Sequence, residues 1–463
     1  MILPDVLRKQ AAEHPDRVAV VVDGIGQMTY GEWDRRSNQL ARALELEPGE
    51  RIGLQFSNDR GLDYLIAYMA IHKAGLVAVP INTKLTGREI AGLIDHSGAR
   101  LVLGVEAVEP HPDSSEYQVP REPTDLADLL YTSGTTGTPK GVACTHENIL
   151  FRGSSTLTRM FAGVTFLHSV PLFTFAGTHA MTLICLRGGM THVLQPRFDP
   201  GRFLEILAER KVALSYVVPA MALRLLDEPA AAAGTYGSLR LLMYGTAPMP
   251  PDGVRRLAEA FPSTFLLNLY GLTEGGAAVC SLSPMEAAKR PDSLGKPLPP
   301  TELKIVDDSG EIAAADEPGE IWMKTAVKPR WYFRDEEATA TAWHDGWLKT
   351  GDIGYLDADG YLYLVDRKKD LIIAGGHNIS APEVEGVLLE HPAVREAAIV
   401  GHPHKTMGEV PRACVVLRQE ASPESLEAFL RERLADYKVP RNWTFLDELP
   451  RNALGKVLKR ELR

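Results

Sequence analysis

The stretch Tyr131–Gly141 reads YTSGTTGTPKG and packs three glycines, six hydroxyl side chains and one lysine into eleven residues. A loop of this make-up can wrap a polyphosphate, because backbone N–H groups, hydroxyls and one cation all favour negative oxygen. It is not a Walker A loop. That motif ends in Gly-Lys-Ser/Thr, whereas here Pro139 precedes Lys140 and Gly141 follows it. A generic Gly/Ser/Thr run is more often a surface turn, and it is the order of residues that points to phosphate.

Upstream of this loop, strand and helix signals alternate. Arg17–Gly24 is a β-branched run ended by a turn, and Arg51–Phe56 and Val77–Asn82 look similar. Between them Leu62, Leu65, Ile66 and Met69 recur at the spacing of an amphipathic helix. The alternation returns from Val212 to Leu269, with apolar strands at 213–219 and 238–245. Such alternation favours an α/β architecture with largely parallel sheets. Pro110–Pro123 is polar and Pro-containing and reads as a loop.

Near residue 366 the texture changes. Gly360–Arg367 alternates as a strand and runs into the charged knot Asp366-Arg367-Lys368-Lys369-Asp370. Beyond it Ser380 and Glu383 form a capping box for a helix carrying Val384, Val387 and Leu388. Ser422 and Pro423 start another, with Leu426, Phe429, Leu430 and Leu434 as its buried stripe. About ninety residues with their own core make a small domain.

The chain has 463 residues, and 50 basic against 60 acidic side chains leave a net charge of −10. That balance argues against nucleic-acid binding through a broad basic face. Hydrophobic content of 45% with 24% charged residues excludes disorder of the whole chain. Cys144, Cys185, Cys280 and Cys414 form no CxxC pair, so a reducing cytoplasm is expected. The first residues lack the apolar core of a signal peptide. Met160–Leu186 carries no Asp, Glu, Lys or Arg. It holds too many polar groups and helix breakers for lipid, so it reads as buried core beside a site, with no membrane span.

Further motifs follow in order: Tyr244-Gly245-Thr246-Ala247-Pro248, Tyr270-Gly271-Leu272-Thr273-Glu274, Lys349-Thr350-Gly351-Asp352, the knot at 366–370, Gly375-Gly376-His377-Asn378-Ile379, and Pro450-Arg451-Asn452-Ala453-Leu454-Gly455-Lys456. With TSGTTGTPKG they resemble the signatures of the adenylate-forming superfamily: acyl-CoA synthetases, nonribosomal-peptide adenylation domains and firefly-type luciferases. The resemblance covers nearly the whole chain. It implies an α/β, multi-domain α+β fold. A large N-terminal domain (1–366) would contain layered α/β subdomains plus a β-barrel-like part. A hinge (367–369, pivoting at Lys369) and a small mobile C-terminal α+β domain (370–463) would follow.

The chemistry so implied brings two anions together, because a carboxylate attacks the α-phosphorus of ATP. Such a site needs cations and phosphate donors more than a base. By resemblance Thr132, Ser133, Gly134, Thr135, Thr136, Gly137 and Lys140 take the phosphates. Gly245, Thr246, Ala247, Tyr270 and Gly271 line the nucleotide, Thr273 holds the α-phosphate, and Glu274 holds Mg²⁺. Asp352 takes the ribose hydroxyls, with Arg367 beside it. Lys456 is the catalytic lysine between carboxylate and α-phosphate. It lies on the small domain, so catalysis implies domain closure. Gly375, Gly376 and Asn378 would line the channel for the CoA thiol.

The acyl pocket is assigned to Thr174, Phe175, His179, Tyr244, Gly275 and Gly276. Thr174 stands where relatives carry a histidine. His179 is more often a satisfied core histidine than a substitute for it. Small residues after Glu274, and Leu269 where malonate-using relatives carry arginine, suggest a long or bulky apolar monocarboxylate, aliphatic or aryl. The expected activity is an AMP-forming acid–thiol ligase using ATP, Mg²⁺ and CoA. A carrier-protein phosphopantetheine is the alternative acceptor, and a catalytically inactive nucleotide-binding homologue is the alternative of another class.

Overall fold

The computed structural model describes residues 1–132, 140–151, 160–234, 236–247, 249–287, 289–290, 292–368, 370–374, 377–452 and 455–463. The Gly/Thr-rich loop 133–139 therefore lies outside the described residues. Its flanks pair antiparallel, with Thr132 opposite Lys140. These flanks belong to the strands Leu126–Thr132 and Lys140–Thr145.

Two sheets build the chain up to Arg367. In the larger, the strands Val18–Val22, Thr191–Leu194, Thr165–His168, Leu214–Val217, Leu241–Gly245 and Phe265–Leu272 follow one another in parallel. Beyond Phe265–Leu272 the pairing turns antiparallel and continues through Trp347–Leu356 to Glu302–Val306. This antiparallel half stands where the barrel-like part was expected, and among the described residues no pairing closes it. The six-stranded sheet places Ala99–Leu103, Arg51–Leu54, Val77–Pro80 and Leu126–Thr132 in parallel. It ends antiparallel on Lys140–Thr145 and the short strand Trp331–Tyr332.

Helix Gly61–Lys73 packs against both sheets. Its buried side chains share one core with Val20 and Val22 of one sheet and Ile52 and Leu54 of the other. The sequence pattern predicts an apolar stripe there, but every residue from Tyr64 to Lys73 is buried. A helix covered on two sides must be apolar nearly all round. Its last residue, Lys73, is buried, and Nζ donates to Asp34 Oδ1 at 2.7 Å and Asn38 Oδ1 at 2.6 Å. Burial lowers the affinity of this ammonium for its proton, and Asp34 opposes that.

Met160–Leu186 starts exposed at Met160 and runs into protein core from Phe166 on. Phe166, Val170, Met181 and Cys185 share one cluster. Among the described residues no helix is long and apolar enough to cross a membrane. Phe175–Thr182 is a π-helix, capped by Thr174, whose hydroxyl accepts from Gly177 N at 3.0 Å. Gly177 allows this close turn, since a Cβ there would stand 2.1 Å from Pro171 O. The segment from 110 to 123 is a loop laid on helix Tyr30–Ala43, tied by Asn38 and Arg42 to Ser114 and Ser115.

A third, five-stranded sheet carries the small domain, with Ile372, Val384, Leu388, Ile399, Val415, Leu426 and Leu430 in its own core. The capping box at Ser380 is only half formed. Ser380 Oγ accepts from Glu383 N, but Glu383 itself is held by Lys438 at 2.6 Å. Ser380 instead donates to Val365 O at 2.7 Å, which ties the helix start to strand Leu362–Arg367. That strand keeps Arg367 on the large sheet, opposite Asp352.

Candidate active site

The parallel strands Leu214–Val217, Leu241–Gly245 and Phe265–Leu272 end side by side. Their carboxyl ends carry the motif residues, as open α/β sheets generally arrange it. A Cβ on Gly245 would lie 2.1 Å from Leu269 O, so only glycine admits this strand approach. Thr246 follows at φ +70°, unusual for a β-branched residue.

Tyr270, on the last of these strands, donates its hydroxyl to Asp352 Oδ2 at 2.6 Å. Arg367 Nε stands 3.1 Å from Asp352 Oδ1. Asp352 is buried, and burial together with this carboxylate raises the Tyr270 hydroxyl far above its ordinary pKa, so it stays a donor. Residues from two other motifs thus converge on the carboxylate of Asp352.

Glu274 sits in the turn after strand Phe265–Leu272, and its Oε1 accepts from the Tyr332 hydroxyl at 3.0 Å. The ring of Tyr332 lies 4.9 Å beneath Lys140 Nζ, and Asp335 Oδ2 is 4.0 Å from the same ammonium. Arg330, buried, donates to Thr273 O at 2.7 Å. Sequence reasoning passed over Tyr332 and Arg330. Their one signal is an aromatic run, Trp331-Tyr332-Phe333, just before a helix cap at Asp335.

Gly275 and Gly276 were read as space for substrate. Both glycines line the pocket that opens at Glu274, and side chains from other elements come close to them. A Cβ on Gly275 would meet Met323 at 2.8 Å, and one on Gly276 would meet Arg330 Nε at 2.8 Å, with φ +76° at Gly276 besides. They are turn glycines. Tyr244 lies in the core on one face of its strand. It is buried with Leu225, Leu257 and Phe261, while its neighbour Met243 faces Ala176 and Met181 on the other side of the sheet. Strand alternation puts these two residues on opposite faces.

His179 is buried, with Nε2 on the carboxylate of Asp128. Tyr68 donates to the same carboxylate at 2.7 Å, and His72 Nε2 is 3.1 Å away. Burial pushes Asp128 up, but His72 and His179 overcome it and leave the carboxyl below its ordinary range. His179 is therefore a core histidine beneath Phe175, whose ring it meets edge-on at 5.8 Å. Phe175 is half-buried under the Arg330 guanidinium at 5.4 Å.

On the small domain, Lys456 N donates to Asn452 Oδ1 at 2.9 Å. A Cβ on Gly455 would stand 3.6 Å from Ala220 and 3.7 Å from Val218. The terminal turn thus rests against the large domain just past strand Leu214–Val217. Thr132 ends the strand before the phosphate loop. Ser133, Gly134, Thr135, Thr136, Gly137, Lys369, Gly375 and Gly376 lie outside the described residues, as does the side chain of Asn378.

Comparison with known proteins agrees with this arrangement. The profile of the AMP-binding enzyme family matches residues 7–333, and that of the AMP-binding enzyme C-terminal domain matches residues 383–456. The chain belongs to the AMP-binding enzyme family, the adenylate-forming ligases of acyl-CoA synthetase type. It is 37% identical to the 2-succinylbenzoate–CoA ligase of Geobacillus kaustophilus, over 100% of this chain and 97% of the relative. It is 34% identical to a feruloyl-CoA synthase of Amycolatopsis sp, over 98% and 97%. The o-succinylbenzoate CoA synthetase of Bacillus subtilis, solved with its acyl-adenylate, superposes with a TM-score of 0.89 at 33% identity, covering 100% of this chain and 98% of that one.

Proposed function

We propose that this enzyme activates an aryl carboxylic acid with ATP and passes the acyl group to CoA. The observation that supports the reading is the joining of three motifs at Asp352, which takes the Tyr270 hydroxyl and the Arg367 guanidinium, with the terminal Gly455 turn resting at Val218 and Ala220. Relatives named for 2-succinylbenzoate and ferulate, both aromatic acids, favour aryl over long aliphatic substrates.

In the first half-reaction a carboxylate oxygen attacks the α-phosphorus, the bond to the bridging oxygen breaks, and pyrophosphate leaves. Asp352 and Arg367 hold the ribose end. Lys140 and the loop before it hold the phosphates, with Thr273 at the α-phosphate. Lys456 stands between the two anions and offsets their repulsion as the new bond forms. In the second, the CoA sulfur attacks the acyl carbon, the thiol proton is released, and AMP departs. The small domain would turn about Lys369 between the two, bringing Gly375, Gly376 and Asn378 to the thiol.

Among the described residues no three His, Cys, Asp or Glu side chains group together to cage a metal. A single carboxylate, Glu274, suits Mg²⁺, which keeps several waters and takes phosphate oxygens as ligands. Bound there, it would supply charge neutralisation at the phosphates.

A panel of aryl and aliphatic acids with ATP and CoA tests the reading, with acyl-CoA followed by mass spectrometry and pyrophosphate release alongside. Aryl acids are expected to be consumed. Products formed only from aliphatic acids would overturn the aryl assignment. Lys456→Ala is expected to slow pyrophosphate release by about 10²–10³-fold; equal release would remove that lysine from the chemistry.

A further inference from the structure

We infer that Tyr332, supported by Arg330, is the positioning residue that sets Glu274 toward the nucleotide phosphates and couples it to Lys140. The inference rests on the reading of Glu274 given above.

The geometry is specific. Tyr332 lies on the two-residue strand Trp331–Tyr332, which pairs with Lys140–Thr145 so that Tyr332 stands opposite Val142. Phe333 N extends the pairing to Gly141 O at 2.8 Å. The tyrosine is therefore fixed to the strand that follows the phosphate loop. Its hydroxyl crosses to Glu274, which belongs to the other sheet, and donates to Oε1 at 3.0 Å. This leaves Oε2 for another partner. Its ring face meets Lys140 at 4.9 Å, within cation–π range. One side chain thus touches both Lys140, assigned to the phosphates, and Glu274, assigned to Mg²⁺, across two different sheets.

Arg330 holds the same turn by its backbone. The guanidinium donates to Thr273 O at 2.7 Å and reaches Asn148 O and Gly276 O, each at 3.5 Å. Among the described residues it has no carboxylate partner, and its buried Nε has no hydrogen-bond partner. A buried cation spent on carbonyls is costly unless the conformation it enforces matters. What it enforces is the turn that carries Glu274 and its attachment to helix His146–Leu150. A pocket lined by Phe151, Glu274, Arg330 and Trp343 opens on this turn, so the carboxylate is accessible.

The test compares the wild type with Tyr332→Phe, Tyr332→Leu and Glu274→Gln in the full chain. Binding of ATP is measured by calorimetry with Mg²⁺ and with EDTA, and pyrophosphate release is followed against Mg²⁺ concentration. Tyr332→Phe keeps the ring over Lys140 and removes the donor to Glu274. It is expected to raise the half-saturating Mg²⁺ about tenfold, the scale of a hydrogen bond to a charged group, with ATP binding in EDTA unchanged. Tyr332→Leu removes the ring as well and is expected to weaken ATP binding in EDTA too. Wild-type Mg²⁺ dependence in Tyr332→Phe overturns the inference, provided that Glu274→Gln has lost that dependence. If Glu274→Gln itself keeps it, the Glu274 reading has failed, and the inference built on it is overturned as well. A mere packing role for Tyr332 would lower thermal stability without moving the Mg²⁺ curve, and that outcome also counts against it.

Discussion

Asp352 lies buried between Tyr270 and Arg367, and each of its oxygens already takes one partner. A carboxylate oxygen accepts twice, so both keep capacity for a ribose hydroxyl. Tyr270 fixes the plane of the group. Tyr270→Phe should therefore raise the KM for ATP about tenfold, by loss of one hydrogen bond to a charged group, with a smaller change in kcat. Pyrophosphate release at varied ATP measures it, and an unchanged KM would mean that the tyrosine only packs. Asp352 and Tyr270 were legible in sequence because each lies in a motif. Tyr332 was not, because its partner Glu274 is 58 residues away and only the fold joins them. The glycines at 275 and 276 were legible as small residues but not as turn residues, since Met323 and Arg330 reach them from distant strands.

The π-helix Phe175–Thr182 carries Phe175 and His179, which the proposed reading puts on the acyl side of the site. Thr174 caps it, and Thr182 Oγ1 returns to Gly177 O at 2.9 Å. Longer-ring turns of this kind recur at functional sites because they aim side chains that a regular helix would turn away. Gly177→Ala puts a Cβ 2.1 Å from a backbone oxygen that has no rotamer to escape with. A destabilisation of about 1–3 kcal/mol is expected, with a raised KM for the acid as Phe175 shifts. Urea unfolding and acid kinetics read the two effects, and a fully stable Gly177→Ala enzyme would show that the turn can relax. The apolar run in this region marked it as core, but helix and π-helix share that composition. Helix Gly61–Lys73 was misread in the opposite sense, since its spacing shows one face and the second sheet covers the other.

For the whole molecule, the buried histidines make stability depend on pH. Burial lowers His192 to about 4 and His146 to about 3, and His168 falls as well. The folded state refuses protons that the unfolded chain accepts below about pH 6.5. Stability should therefore fall as pH drops from about 6.5 toward 4, by up to about 1.4 kcal/mol per pH unit for each such histidine. Asp128 acts in the same direction in a lower pH window. Its contribution, held by His72 and His179 against burial, is lost only below its unfolded value near 3.8. Denaturant midpoints between pH 7 and 5 check this, and His192→Gln should show a shallower slope. A flat profile would mean that these imidazoles are protonated in place.

By itself the sequence determined the family, the order of the motifs, the strand–helix alternation and the small domain. Those depend on residues close together in the chain: periodicity, caps and short runs whose chemistry is local. The structure alone decided which face each strand residue serves, which side chains come close to Gly275 and Gly276, and that Tyr332 bridges Lys140 and Glu274. Those depend on contacts between elements far apart in sequence, and such contacts exist only once two sheets, the helix between them and the terminal turn at Gly455 are packed together.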